Sequence, residues 1–241
     1  YFVNPGMLTQ LKEGKIPRTI AAHEKVLNYY NVSSVFLAQE VADQIRSGKL
    51  TWEEYGGTHP KPKGNDIASE MIRKLLNDAW KKDEPEAKVN HPVPGQLIDE
   101  KSYHRGNFLS PENSSNEFWT WSVPDWKNIP GNFRNTFSGL KLLCCDATNR
   151  ETKISFSGSA LGVYVLSGPD AGIIEVSVDG GLWQSHDLYH RYSRGLHYPR
   201  TVILFSDLKA GNHVARIRIK ENSNKASKGS SARILQFTVN H

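Results

Sequence analysis

The second half of the sequence alternates apolar and polar residues over six short segments. Their apolar members are Ile154 and Phe156, Val163 and Val165, Ile174, Val176 and Val178, Val202 and Leu204, Ile217 and Ile219, and Leu235, Phe237 and Val239. A period of two is typical of strands that bury one face. Turn signals separate the segments: Gly168-Pro169-Asp170, Asp179-Gly180-Gly181 and Lys209-Ala210-Gly211-Asn212. This spacing predicts an antiparallel β-sandwich of the jelly-roll type.

The first 80 residues have a helix-like period instead. Helices are predicted around residues 20–27, through 41–45 up to Gly48, and from about Asp66 to Trp80. Residues 33–37 form a short apolar run that is typical of a buried parallel strand. This order of elements predicts an α/β fold with an incomplete sheet.

The change of pattern divides the chain into three parts. We predict an α/β portion over residues 1–82 and a linker or strap over residues 83–105, where the sequence is charged and rich in proline. The β-sandwich then covers residues 106–241. The chain begins with YFVNPGM, which is typical of a buried strand entering a loop, and we therefore expect a processed chain or a fragment.

The charge distribution argues against nucleic acid as a partner. The formal net charge is +5, with 13 Lys and Arg against 12 Asp and Glu in residues 1–90 and 17 against 13 afterwards. So small and dispersed an excess forms no basic stripe. No stretch approaches the roughly 18 apolar residues of a membrane span, so we also expect no spanning segment.

The two cysteines predict neither a disulfide framework nor a metal site. Cys144 and Cys145 are adjacent, and neighbouring cysteines rarely bridge each other because the geometry is strained. No CxxC spacing is present. Cysteine usage therefore leaves the cellular compartment open.

The segment TWEEYGGTHPKPKGN, residues 51–65, holds a single histidine, His59. Gly56 and Gly57 precede it, Pro60 follows it, and Asn65 is a plausible N-cap for the next helix. Two interpretations remain open from these residues. His59 is either an exposed side chain in a flexible turn or a catalytic base that the turn presents to a nucleophile.

A resemblance favours the base. THPKPKGN followed by an amphipathic helix resembles the last sequence block of the SGNH (GDSL-type) hydrolases, in which a histidine activates a serine. FVNP, AAHEKV and SSVFLAQEVA are similar to the closing elements of that flavodoxin-like, three-layer fold. LGVYVLSGPDAGIIEVSVDGG and LYHRYSRGLHYPRTVIL resemble the C-terminal β-sandwich of some bacterial carbohydrate esterases.

The resemblance implies a serine esterase that deacetylates a poly- or oligosaccharide, with His59 as the catalytic histidine. It implies an acylated carbohydrate as substrate, no metal or organic cofactor, and a secreted or periplasmic bacterial protein. The alternative is a non-catalytic carbohydrate-binding or scaffolding protein, in which the α/β portion is only structural.

Two departures from the family pattern affect the predicted site. The aspartate that usually precedes the histidine by three residues is replaced by Gly56, so we expect the orienting carboxylate to be Glu54. Glu53, a carboxylate from elsewhere in the fold, and a Ser–His pair without a carboxylate are the alternatives. The GDS-type nucleophile block and the oxyanion-hole blocks are not found in this sequence, and Ser157-Gly158-Ser159 is no substitute. We therefore expect the serine to lie N-terminal to Tyr1, on a longer polypeptide or a separate chain.

A second cluster of polar residues lies in QSHDLYHRYSRGLHYPR, residues 184–200. His186 and His190, with Asp187, could ligate a metal if the segment were helical, but glycine and proline make a helix a poor prediction. We expect a sandwich loop, in which Arg194 or His197 contacts substrate beside His59 or simply packs between domains.

Tryptophans form a third set: Trp119, Trp121, Trp126 and Trp183. Aromatic faces can stack on sugar rings, but they also dominate buried cores. We expect these tryptophans to belong to the core.

Overall fold

The structure is a computed structural model that describes residues 3–81, 90 and 92–241. The chain separates into two compact units, residues 1–100 and 101–241. The boundary falls inside the predicted linker 83–105, of which residues 83–89 and 91 lie outside the described residues. No helix in the described part of the chain is long and apolar enough to cross a membrane.

The described residues of the first unit form five helices. They are α1 (Pro5–Lys12), α2 (Arg18–Tyr29), α3 (Leu37–Arg46), α4 (Trp52–Tyr55) and α5 (Pro62–Trp80). They share one apolar core, made of Val3, Leu8, Leu11, Ile20, Leu37, Ala38, Val41, Ala42, Leu50 and Tyr55. Helix α5 packs against this core through the partly buried Ile67, Ala68 and Met71. The three helices predicted from the period are confirmed.

The predicted strand at residues 33–37 is wrong. Residues 32–36 have no regular structure, and Leu37 is already the first residue of α3. A strand needs a hydrogen-bonded neighbour, and the described residues of this unit contain no strand to pair with it. The α/β class expected for residues 1–82 is therefore not observed in residues 3–81, which are helical and irregular.

The start of α5 also differs from the prediction. Pro62 is the first helical residue and Lys61 the N-cap, so Asn65 lies inside the helix rather than capping it. Proline suits the first helical position because its missing N–H would have no partner within the helix there.

The second unit is a β-sandwich, as predicted. Its strands are β1 (Gly106–Leu109), β2 (Thr120–Ser122), β3 (Leu142–Cys145), β4 (Glu151–Gly158), β5 (Ala160–Ser167), β6 (Ile173–Val178), β7 (Gln184–Asp187), β8 (Tyr198–Phe205), β9 (Gly211–Ile219) and β10 (Ala232–Asn240). One sheet has the order β2-β3-β10-β5-β8, with β1 also paired to β10, and the other has the order β4-β9-β6-β7. All of these pairings are antiparallel.

Both sheets contribute to one core. Leu161, Val163 and Val165 come from β5, and Ile217 and Ile219 come from β9. The alternation fails at one place. A register shift between Ile234 and Gln236 puts Ile234 in the core with Phe237, whereas the predicted Leu235 is only half-buried. A bulge adds one residue and so reverses which side chains face inward.

Candidate functional site

The turn between α4 and α5 is closed by backbone hydrogen bonds. The N–H of Lys61 donates to the carbonyl oxygen of Tyr55 at 2.8 Å, which closes the turn across its ends. Gly56 and Gly57 have φ values of 107° and 74°, in the left-handed region that favours glycine. A Cβ on Gly56 would lie 2.3 Å from the Lys61 nitrogen, so the turn requires glycine there. We call residues 56–61 the His59 turn.

Tyr55 and Gly64 fix the base of the His59 turn. Tyr55 is fully buried and stacks on Trp52 with ring centroids 5.5 Å apart. A Cβ on Gly64 would lie 2.5 Å from the carbonyl oxygen of Tyr55, so α5 packs against α4 at a distance that only glycine permits. The segment therefore has a defined conformation rather than that of a loose connection.

His59 lies exposed in this turn. Its imidazole has no hydrogen-bond partner among the residues that the structure describes. A general base must lie within hydrogen-bond reach of the proton that it takes, and the exposure of His59 leaves its imidazole open to such a group.

Glu54 lies beside the turn but does not contact His59. One carboxylate oxygen accepts hydrogen bonds from the backbone N–H and the hydroxyl of Thr51, at 2.8 and 3.1 Å, in a capping box at the start of α4. The other oxygen accepts from Lys63 Nζ at 2.8 Å. These bonds, first that from Lys63, lower the pKa of Glu54 to about 2. Glu54 is therefore ionised and braces the turn; the structure does not place it against the imidazole.

Arg194 and His197 belong to the second unit, and the structure gives them different environments. Arg194 is exposed. His197 is fully buried, with its Nε2 3.0 Å from the carbonyl oxygen of Pro130 and its ring 5.0 Å from Trp126. Burial lowers the pKa of His197, so the ring is neutral at neutral pH and Nε2–H donates to Pro130. In this conformation His197 holds a loop and cannot reach a substrate.

The segment that carried the metal hypothesis is not helical. His186 and Asp187 lie on β7, and His190 lies in the loop that follows. Asp187 accepts hydrogen bonds from the N–H of Tyr189 at 2.8 Å and from Asn224 Nδ2 at 2.6 Å. Within the described residues, no group of three or more His, Cys, Asp or Glu is disposed to hold a metal ion.

The tryptophans serve mainly the core. Trp119 is fully buried and its Nε1–H donates to the carbonyl oxygen of Arg150 at 2.9 Å. Trp121 packs against the main core, and Trp126 packs against a smaller cluster formed by Phe137, Leu142 and Leu166. Trp183 is half-buried under the guanidinium of Arg218, 4.2 Å from its ring centroid.

The cysteines are free thiols on β3. Burial raises the pKa of both Cys144 and Cys145 to about 11. A thiol with so high a pKa holds little of the reactive thiolate at neutral pH. Neither residue has the environment of a cysteine nucleophile.

Sequence reasoning missed an aromatic cluster that includes His190, Tyr192 and Tyr198. The His190 ring stacks on Tyr198 at 5.1 Å, and Tyr192 lies 5.1 Å from His190 and 5.2 Å from Tyr198. The available signal was composition, because residues 188–200 hold three tyrosines, three arginines and no acidic residue. We call residues 189–200 the aromatic–arginine turn.

Comparison with known proteins gives structural neighbours but no family. No protein-family model matches the chain, and no curated protein matches its sequence. The chain is similar to a two-domain esterase active on acetylated mannans, co-crystallised with mannopentaose, with a TM-score of 0.61 and 13% identity over 90% of this chain. A second structure of a two-domain esterase active on acetylated mannans gives 0.62 and 12% over the same share.

The chain spans 57–58% of the length of those two esterase chains. A family two carbohydrate esterase from Cellvibrio japonicus is also matched, over 56% of this chain and 33% of its own, at 15% identity and a TM-score of 0.37, which is too low to support an argument. At these identities the first two matches establish similarity of fold. Because they cover 90% of the chain, they extend beyond the sandwich unit of residues 101–241 into the first unit.

Proposed function

We propose that this chain is part of a serine esterase of the SGNH type that removes acetyl groups from a poly- or oligosaccharide. The observation that carries the proposal is the His59 turn, in which a backbone closed by hydrogen bonds holds an exposed imidazole. Close packing at Gly56 in the turn and at Gly64 in α5 requires glycine at both positions. The similarity of fold to an esterase active on acetylated mannans supports the choice of substrate class.

In the proposed reaction, His59 takes the proton of a serine hydroxyl while the serine oxygen attacks the acetyl carbonyl. The acetyl–oxygen bond of the substrate then breaks, and His59 returns the proton to the departing sugar hydroxyl. Water repeats the sequence on the acyl-enzyme and releases acetate. The serine and the oxyanion hole would come from sequence N-terminal to Tyr1.

Glu54 has a positioning role in this proposal. Its hydrogen bonds to Thr51 and its ion pair with Lys63 join the start of α4 to the first turn of α5, on either side of His59. In this proposal the carboxylate that orients the imidazole comes from elsewhere in the protein, or the enzyme works as a Ser–His pair without such a carboxylate. Arg194 is proposed as a substrate contact on the ground that it is exposed.

The test is acetyl release by the complete polypeptide that contains this chain. We expect hydrolysis of 4-nitrophenyl acetate and of acetylated mannan, and a loss on the order of 10³–10⁶-fold in kcat for His59→Ala. His23→Ala is the matched control, since His23 is also exposed and lies in the same unit. Full activity of His59→Ala, or equal losses in both variants, would sink the esterase proposal and favour a carbohydrate-binding or scaffolding protein.

A further inference from the structure

Of the aromatic–arginine turn, the proposed esterase uses only Arg194, as a substrate contact, yet the whole outer surface of the turn is built from groups that bind ligands. Tyr192 is 50% exposed, and Arg191 and Arg194 are exposed in the same tight turn. The Arg191 guanidinium lies 4.7 Å from the Tyr192 ring centroid and donates to its hydroxyl at 2.9 Å. The Arg191 guanidinium therefore covers one face of the half-exposed Tyr192 ring, and the exposed Arg194 follows two residues later in the turn.

The base of this turn is rigid. Ser193 is fully buried, its hydroxyl accepts from the N–H of His190 at 3.1 Å, and its own N–H donates to the His190 carbonyl at 2.7 Å. The N–H of Asn132 donates to Gly195 and the N–H of His197 donates to Asn132, at 2.9 and 2.7 Å. The backbone of such a turn loses little conformational entropy when a ligand binds.

The charge of the turn is of one sign. The described ion pairs of the sandwich that involve arginine are those of Arg216, Arg218 and Arg233. Arg200 donates a long 3.5 Å hydrogen bond to the carbonyl oxygen of Tyr189 and, like Arg191 and Arg194, has no carboxylate partner within the described residues. Charge complementarity therefore favours an anionic ligand over a neutral one.

We propose that the aromatic–arginine turn is a binding site for anionic glycans whose sugar rings carry carboxylates. The apolar face of a pyranose ring packs against the exposed part of the Tyr192 ring. The guanidinium groups of Arg191 and Arg194 pair with a carboxylate, which guanidinium can bind through two parallel hydrogen bonds. The site shares no residue with the His59 turn, and its binding of anionic glycans can be tested apart from the esterase reaction.

The test measures binding of the full chain to galacturonate oligosaccharides by titration calorimetry, with the methyl-esterified oligosaccharides as the uncharged match. We expect the acid form to bind at least tenfold more tightly, and its affinity to fall as salt is raised from 50 to 200 mM, since screening weakens exposed ion pairs. Arg191→Gln and Arg194→Gln should each weaken binding about tenfold, the loss of one charge-assisted hydrogen bond. Tyr192→Ala should weaken it about fivefold.

Arg105→Gln is the matched control, because Arg105 is exposed on the same unit but outside the turn; it should bind like the unchanged chain. His59→Ala should also bind unchanged, so a failed esterase test leaves this proposal standing. The proposal is overturned if the chain does not bind, or if it binds the acid and the methyl ester with equal affinity. It is also overturned if Arg105→Gln loses as much affinity as Arg191→Gln. Equal affinity for single-stranded DNA or polyglutamate would show a general polyanion surface and would also overturn it.

Discussion

Gly64 is a residue whose lack of a side chain has a structural consequence. It allows α5 to approach the carbonyl oxygen of Tyr55, where a Cβ would stand 2.5 Å away. Tyr55 itself is fully buried, and burial raises the pKa of its phenol. The contact joins the two helices that flank His59, so its loss should disturb the turn as well as the core.

We therefore expect Gly64→Ala to lower the free energy of unfolding by about 1–3 kcal/mol. Alanine favours a helix by up to about 1 kcal/mol over glycine, but the clash is with backbone, which cannot move aside as a flexible side chain would. Gly6→Ala is the control, because its Cβ would lie an ordinary 3.4 Å from Asn4 Oδ1 in α1. Chemical denaturation measures both; equal stability of the two variants would contradict the packing described here.

Arg233 and Asp170 form a buried, two-pronged ion pair, with N–O distances of 2.8 and 2.7 Å. Burial opposes ionisation of Asp170, but the hydrogen bonds and charge of Arg233 outweigh it and lower the pKa of that carboxyl. Arg233→Met should cost about 3–5 kcal/mol, because it leaves a buried charge without a partner. The double variant with Asp170→Leu should recover much of that loss in thermal unfolding. A single variant as stable as the unchanged protein would show that the pair is dispensable.

At the scale of elements, His213 links two turns of the sandwich. Its Nδ1 lies 2.6 Å from the Asp179 carboxylate, after β6, and its Nε2 lies 2.7 Å from the Lys209 carbonyl, before β9. The Asp179 carboxylate and the Lys209 carbonyl both accept hydrogen bonds. The imidazole can donate to both at once only when it is protonated, because only then do both ring nitrogens carry a hydrogen. The bond to Asp179 and then that to Lys209 raise the pKa of His213, and the bond to His213 lowers the pKa of Asp179. Asp179, His213 and His241 line one cleft of the sandwich.

The pH dependence follows from the direction of these shifts. The raised pKa of His213 means that its contribution is complete below the unfolded value near 6.5 and is lost as pH rises through the folded pKa. The contribution of Asp179 is lost at acid pH, as pH falls through its depressed pKa. We expect the stability difference between the unchanged protein and His213→Gln to be larger at pH 5.5 than at pH 9. A difference that stays constant over this range in urea unfolding would contradict a charged link.

Elements were predictable from the sequence where a single period determined them. The alternating segments correctly predicted strands β4, β5, β6, β8, β9 and β10, because each of these strands places alternate side chains in the core between the sheets. The strand prediction for residues 33–37 failed because a short apolar run has no periodicity, and periodicity is what distinguishes a strand from a segment that leads into a helix. The environments of Glu54 and His197 could not be predicted, since they depend on Lys63 across a turn and on Pro130 in a distant loop.

At the scale of the whole molecule, the chain combines a helical unit that presents His59 with a β-sandwich that carries the aromatic–arginine turn. The esterase proposal rests on the sequence resemblance to SGNH hydrolases and on the His59 turn, and the fold of the chain is similar to that of esterases active on acetylated mannans. This chain spans 57–58% of the length of those esterase chains, and the activity is proposed for the complete polypeptide that contains it.

The central claim is that the His59 turn presents a catalytic base, and imidazole rescue tests it most directly. In the complete polypeptide, His59→Ala should lose acetyl release from 4-nitrophenyl acetate while unfolding at the same temperature as the unchanged protein. Added imidazole should restore part of the rate in His59→Ala, beyond the background hydrolysis by imidazole itself, with a dependence on pH that follows neutral imidazole. A variant that keeps full activity, or one whose lost activity imidazole fails to restore, would contradict the claim.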